Sequence, residues 1–223
     1  MGVGHVALAL GASKAAPRLN VGLLIFAALL ADFLLGIFAS LGLEHASVPD
    51  NFPARHYLLF TFPYSHSLLA LIVWATIFGF LISRAYGPDA KRIWLVVGLV
   101  VLSHFVLDGL VHVVGLPLLG ENSPKVGFGL WKYMPAELTL ETVMAIAGLA
   151  VYWTIGGAGT SVVARYGIAA LTMLFTAITW TQLGLVAPPK ARALEISWIV
   201  VPVLLSVVAY FLDRPRLCGE ARA

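Results

Sequence analysis

Charge is what this chain has least of. Charged side chains make up 11% of its 223 residues, less than half of the roughly 25% that a soluble domain carries. With 60% hydrophobic residues and a mean hydropathy of +0.93, that scarcity excludes an ordinary water-soluble fold. The net charge of +3 is too small and too dispersed to fit nucleic-acid binding. There is one cysteine, Cys218, in the tail after the last apolar run, which excludes an intrachain disulfide and leaves cysteine chemistry without support. Met1 to Ser13 lacks the basic start of a secretory leader, its first cation being Lys14, so the segment is expected to be retained. Internal repeats and low-complexity tracts are missing too.

Long apolar runs are what the chain has in plenty. A helix crossing a ~30 Å hydrocarbon core needs about 20 apolar residues. Such runs lie near Leu19–Leu43, Ser65–Arg84, Arg92–Leu116, Pro135–Thr154, Arg165–Ala187 and Glu195–Leu212. The expectation is a single all-α polytopic domain with six transmembrane helices. If the N-terminus is cytoplasmic, nine Lys and Arg residues fall on the inner side (Lys14, Arg18, Arg84, Lys91, Arg92, Arg165, Arg214, Arg216, Arg222). Five fall outside (Arg55, Lys125, Lys132, Lys190, Arg192). That bias predicts both termini inside.

Val3 to Gly11 is nearly all apolar apart from His5, yet too short to cross. It reads as a re-entrant or surface-lying helix, followed by the polar turn Lys14–Arg18 with Asn20 as a cap for the first span. Re-entry from the inner face would lift His5 about 13 Å, and Asp32 would lie about 20 Å from the same face, so the two can approach. The elaborated loops, Glu44–Tyr64 and Pro117–Met134, both fall on the outer side, and loops carry function more often than the scaffold beneath them. Trp94, Trp131, Trp153 and Trp198 sit near span ends and read as interfacial anchors. Gly36, Gly79, Gly98 and Gly109 read as points of close helix packing.

Against this background the ionisable residues within the runs stand out, because a charge at mid-bilayer costs at least ~2.5 kcal/mol and is retained where it pairs. His104 and Asp108 lie four apart in one span, so they share a helix face, and His112 follows one turn later. Asp32 sits in the first span and His66 opens the second. Two imidazoles and two carboxylates from three helices suit a divalent metal, Zn²⁺ best and Mn²⁺ or Fe²⁺ less exclusively. Glu137 and Glu141, another pair four apart, open the fourth span and offer a second ion site or a general base.

The order His5, Asp32, Ser65-His66-Ser67 and Ser103-His104-Phe105-Val106-Leu107-Asp108 resembles the YdjM-like membrane-bound metal-dependent hydrolases, with their Thr-His-Ser and His-x-x-x-Asp signatures. The likeness covers roughly residues 1–115. The family's Pro-Asp-x-Asp is here Ala31-Asp32-Phe33-Leu34, with a single acid, and its His-Arg before Thr-His-Ser is absent, although Arg55-His56 lies upstream. The same order is similar to that of the zinc-dependent phospholipase C and single-strand nuclease class. There an Asp, a His and a His-x-x-x-Asp pair hold one zinc, which falls here on Asp32, His66, His104 and Asp108. A later His and His-x-x-x-Glu hold a second, for which His112 and Glu137/Glu141 are counterparts, Glu137 replacing the His. The N-terminal amine and an early His hold a third, for which His5 is the candidate. The resemblance implies zinc-dependent phosphoester hydrolysis. A site between helices opening at the outer leaflet implies membrane lipids as surroundings and a lipid or lipid-linked substrate.

Plainer readings stand beside these. His104 and Asp108 also fit a simple intrahelical pair, Glu137 and Glu141 fit acids placed on a helix N-terminus, His5 an interfacial polar group, His112 an interface residue, and His45 and His56 solvated loop residues. For the whole protein the alternatives are a transporter with a His/Asp ion or proton site, and a non-catalytic membrane subunit.

Overall fold

The computed structural model describes residues 1–155 and 161–220, and the side chains of 1–155 and 161–214. Arg222, the side chains of Arg216 and Cys218, and most of the Gly156–Ala164 connection lie outside the described residues. The fold is mostly helical: α1 (Gly2–Ala12), α2 (Val21–Ala28), α3 (Leu30–Ser40), α4 (Phe52–Arg55), α5 (Leu68–Ser83), α6 (Ala90–Val111), α7 (Met134–Trp153), α8 (Val162–Trp180) and α9 (Ala191–Glu220). Two small antiparallel ribbons decorate the loops. β1 (His45–Ser47) pairs with β2 (Leu59–Thr61), and β3 (Leu116–Pro117) with β4 (Lys125–Val126).

Local chemistry sets the helix starts that matter here. Asn20 caps α2, its Oδ1 accepting the Gly22 N–H at 2.8 Å, and Ser67 caps α5, its Oγ accepting from Ala70 at 3.1 Å. Each satisfies a backbone donor that the first helical turn cannot.

Among the described residues, four helical segments are long and apolar enough to cross a membrane: Gly87–Val111, Leu130–Trp153, Val162–Gly184 and Ala191–Arg214. A fifth is added if α2 and α3, bent by 51° at Leu29, count as one span. The expectation of six is corrected to four or five. The run Ser65–Arg84 fails because Ser65–Ser67 is spent on the cap and α5 has only 16 residues, about 24 Å of helix. Hydropathy counts residues, and it sees neither that cap nor the bend. Apolar side chains point outward along the spans, among them Leu95, Leu99, Val143, Leu174 and Leu204, as a lipid-facing surface requires.

The N-terminal helix lies inside the bundle and not on its surface. Val3, Ala9 and Leu10 of α1 are completely buried, and a Cβ on Gly148 of α7 would collide with the Ala7 carbonyl. Gly36 and Gly79 are likewise pressed against Ile199 and Trp94. Gly98 has only ordinary contact and Gly109 faces open space, so the packing role expected of all four belongs to two.

One end of the bundle is tied by Arg18 to Asp89 (2.9 Å), Arg92 Nε to the Ala15 carbonyl (2.7 Å), and the Val21 N–H to Asp213 (2.8 Å). Arg192 reaches Ser40 at the other end. The polar cluster described next lies between these ends, where α1, α3, α6 and the segment before α5 meet.

Candidate metal centre

Each contributing side chain is delivered by a different local device. Asp32 sits in the first turn of α3, just past the bend at Leu29. His66 stands in the Ser65–Ser67 segment that enters α5. His104 and Asp108 share a face of α6, and His112 caps that helix in an extended conformation. His5 comes from α1.

All of them converge. His66 Nε2 and His104 Nε2 are 3.1 Å apart. Asp108 Oδ2 lies 3.4 Å from His104 Nε2, 3.7 Å from His66 Nε2 and 3.2 Å from His112 Nε2, while its Oδ1 lies 3.1 Å from His5 Nε2. Asp32 Oδ1 is 3.8 Å from His66 and 4.0 Å from His104. The His5 and His104 rings stack at 3.8 Å. Ligand atoms of Asp32, His66 and His104 lie within 4.8 Å of one another, and so do those of His5, His104 and Asp108. Apart from Asp32, which is about a quarter exposed, these side chains are almost fully buried. The Met1 amine completes the group, 3.3 Å from Asp108 Oδ1.

The imidazoles are held from behind. His104 Nδ1 lies 2.8 Å from the Ala28 carbonyl. Ala28 ends α2 at the bend, and an inserted side chain is one of the few causes of a sharp helix kink. A carbonyl only accepts, so Nδ1 carries a proton, and in the neutral ring the His104 lone pair sits on Nε2. His66 Nδ1 lies 2.7 Å from Ser65 Oγ. With both Nδ1 atoms engaged, the two Nε2 atoms face each other beside two carboxylates at a distance that calls for a shared proton or a cation. That donor set, imidazole and carboxylate with outer hydrogen bonds that fix the rings, fits a divalent metal.

Glu137 and Glu141 are buried too but stand apart from this cluster. Glu141 Oε2 accepts the Val3 N–H at 2.9 Å, a contact that fixes the start of α1. Two cavities of about 260 and 230 Å³ adjoin one another, sharing Met1, Gly2, Phe60, Trp131 and Trp198 in their walls. Asp32, His66, Asp108 and His112 line the first; Glu137, Glu141 and His56 line the second.

Several expectations change here. His56 is half-buried and borders the second cavity, on a left-handed backbone (φ 55°). His45 is exposed. Trp131 and Trp198 wall the cavities, the Trp131 ring lying 4.0 Å from that of His112. Glu44 and Ala28 were not legible as site residues. Glu44 is 1% exposed although it lies between elements, and it takes hydrogen bonds from Tyr64 N–H, Ser65 N–H and Ser65 Oγ. Burial pushes its carboxyl above the usual value, and the Ser65 and Tyr64 hydrogen bonds act against that rise.

Fold and site together define a helical membrane protein with a buried His/Asp cluster able to hold a metal ion. No family model matches the chain, and no curated protein or solved structure matches it either.

Proposed function

We propose that this protein is an integral-membrane metal-dependent hydrolase that cleaves a phosphoester of a lipid or lipid-linked substrate. One observation carries the metal: the Nε2 atoms of His66 and His104 face each other at 3.1 Å with both Nδ1 atoms engaged behind them. Asp32, His66, His104 and Asp108 are its ligands, a set of two imidazoles and two carboxylates that zinc matches best, and His112 and His5 are candidate ligands of further ions. Such an ion would lower the pKa of a bound water toward ~7 and neutralise charge developing on a phosphoryl oxygen. Glu137 or Glu141, in the wall of the adjoining cavity, would orient or deprotonate that water. Hydrolysis itself rests on the YdjM-like motif order. The cytoplasmic membrane of a bacterium, with both termini inside, rests on that resemblance and on the basic residues Lys14, Arg18, Lys91 and Arg92. The aromatic walls shared by the two cavities, within an apolar bundle, favour a lipid-linked substrate over a free one.

The bend at Leu29 favours a second reading, a carrier, since broken helices place ion-binding backbone at mid-membrane. Here, however, the Ala28 carbonyl at the break is taken by His104. The deciding measurement is elemental analysis of chelator-washed protein beside the His104→Ala/Asp108→Asn double variant. At least one equivalent of metal, lost in the variant while the fold persists, supports the hydrolase and opens phosphoester substrate screens. Equal metal content in both would end it, and solute flux in proteoliposomes without turnover would favour the carrier.

A further inference from the structure

The two facing imidazoles are held by partners of different kinds. Behind His104 stands a backbone carbonyl, which can only accept, so one hydrogen bond settles that tautomer. Behind His66 stands the Ser65 hydroxyl, which both donates and accepts and by itself would permit either tautomer. Glu44 removes the choice. Its Oε1 accepts the Tyr64 N–H at 2.7 Å and the Ser65 N–H at 2.9 Å, and its Oε2 lies 2.6 Å from Ser65 Oγ. A carboxylate accepts, so the Ser65 proton points to Glu44, and Ser65 Oγ is left to accept from His66 Nδ1–H at 2.7 Å. The His66 lone pair then sits on Nε2, the atom facing His104.

We infer that Glu44 is a positioning residue which, through the Ser65 hydroxyl, sets the tautomer of His66 for metal binding. The inference rests on the metal reading of the cluster and adds a residue to it that does not touch the metal. Burying a carboxylate is costly unless donors meet it, and all three donors here come from Tyr64 and Ser65, directly before His66. The β1–β2 ribbon closes the intervening loop and brings Glu44 back onto that segment. Carboxylates behind metal-bound imidazoles fix ring orientation and typically change metal affinity 10- to 100-fold when altered. Here the carboxylate acts at one remove, and the hydroxyl between transmits the direction of the hydrogen bond.

Glu44→Gln separates this role from simple capping. Gln keeps an oxygen for the two backbone N–H groups but presents an NH₂ to Ser65 Oγ. The hydroxyl then donates to His66 Nδ1, and the ring proton moves to Nε2, where it blocks a ligand. The expected result is a 10- to 100-fold weaker Zn²⁺ affinity for the full chain in detergent, with the helical circular dichroism of the chelated protein unchanged. Adding Ser65→Ala to Glu44→Gln removes the reversed hydroxyl and recovers part of the affinity. Nitrogen NMR of the metal-free protein reads the tautomer directly: Nδ1–H on His66 in the wild type and Nε2–H in Glu44→Gln. Wild-type Zn²⁺ affinity in Glu44→Gln overturns the inference, and so does an Nε2–H tautomer in the wild type, which needs no variant to fold. If the wild type takes up no Zn²⁺, the metal reading fails while the tautomer measurement still decides the part played by Glu44.

Discussion

Two fully buried aspartates, at different levels of the same bundle, have opposite surroundings. Asp213 accepts the Val21 N–H at 2.8 Å and the Tyr152 hydroxyl at 2.7 Å, so hydrogen-bond donors meet its oxygens and it fastens the start of α2 to α9 and α7. Nearby, Asn20 caps α2 and donates to the Tyr210 carbonyl at 3.0 Å. Asp108 is met by ring nitrogens of His5, His66, His104 and His112, within 3.1 to 3.7 Å. The Met1 ammonium joins them, 3.3 Å from Asp108 Oδ1. The first arrangement is complete as protein. The second crowds four imidazoles, an ammonium and a further carboxylate, Asp32, into one buried space, and a bound metal ion would complete it.

The contrast yields measurements of graded size. The largest effect is expected at the incomplete end: His104→Ala/Asp108→Asn should weaken Zn²⁺ binding by more than ~100-fold, beyond what loss of an outer partner produces. Titration with a competing chelator reads it, and near-wild-type affinity would erase the distinction between the two acids. At the complete end Asp213→Ala should lower stability by about 2–4 kcal/mol, the cost of stranding buried donors. Thermal unfolding in detergent reads the loss, and Zn²⁺ bound per folded molecule should stay at the wild-type level. Metal removal should also discriminate. At free Zn²⁺ near 100 times Kd, binding contributes about 2.7 kcal/mol, so a chelator should lower the Tm of the wild type and of Asp213→Ala but not that of the His104/Asp108 variant. The smallest change tests a place where the two properties are joined. Gly148→Ala pushes α7 from Ala7 at a cost of about 1–3 kcal/mol, and because α1 carries His5, stability and metal affinity should fall together. A stability loss with unchanged metal affinity would remove His5 from the ligand set.

Much of the incomplete end was legible before any coordinates. His104 and Asp108 were placed on one face by helix periodicity alone, and the order Asp32, His66, His104, Asp108 marked which elements had to meet. His5 and His112 were candidates, and both join the cluster. Glu44 escaped because its partners lie 20 and 21 residues along the chain, and a lone acid in a polar loop has no periodic signal. The bend at Leu29 escaped because Ala27-Ala28-Leu29-Leu30 contains neither Gly nor Pro. Its correlate is a tertiary contact, the His104 ring against the Ala28 carbonyl. The count of six spans failed for the related reason that apolar length was read as straight helix. The cavity role of Trp131 and Trp198 was hidden because interface anchors and cavity walls share a composition.

The burial of α1 also has a meaning in time. Val3 and Glu141 are joined across 138 residues, and ribosomes add about 5–20 residues per second. This helix therefore waits roughly 7–30 s for the helix that receives it. During that interval the face of α1 that packs on α7 has no partner, and His5 does not meet Asp108 until α6 arrives. The occupancy of the cluster at Asp108 thus records that α1 has met the helices made after it.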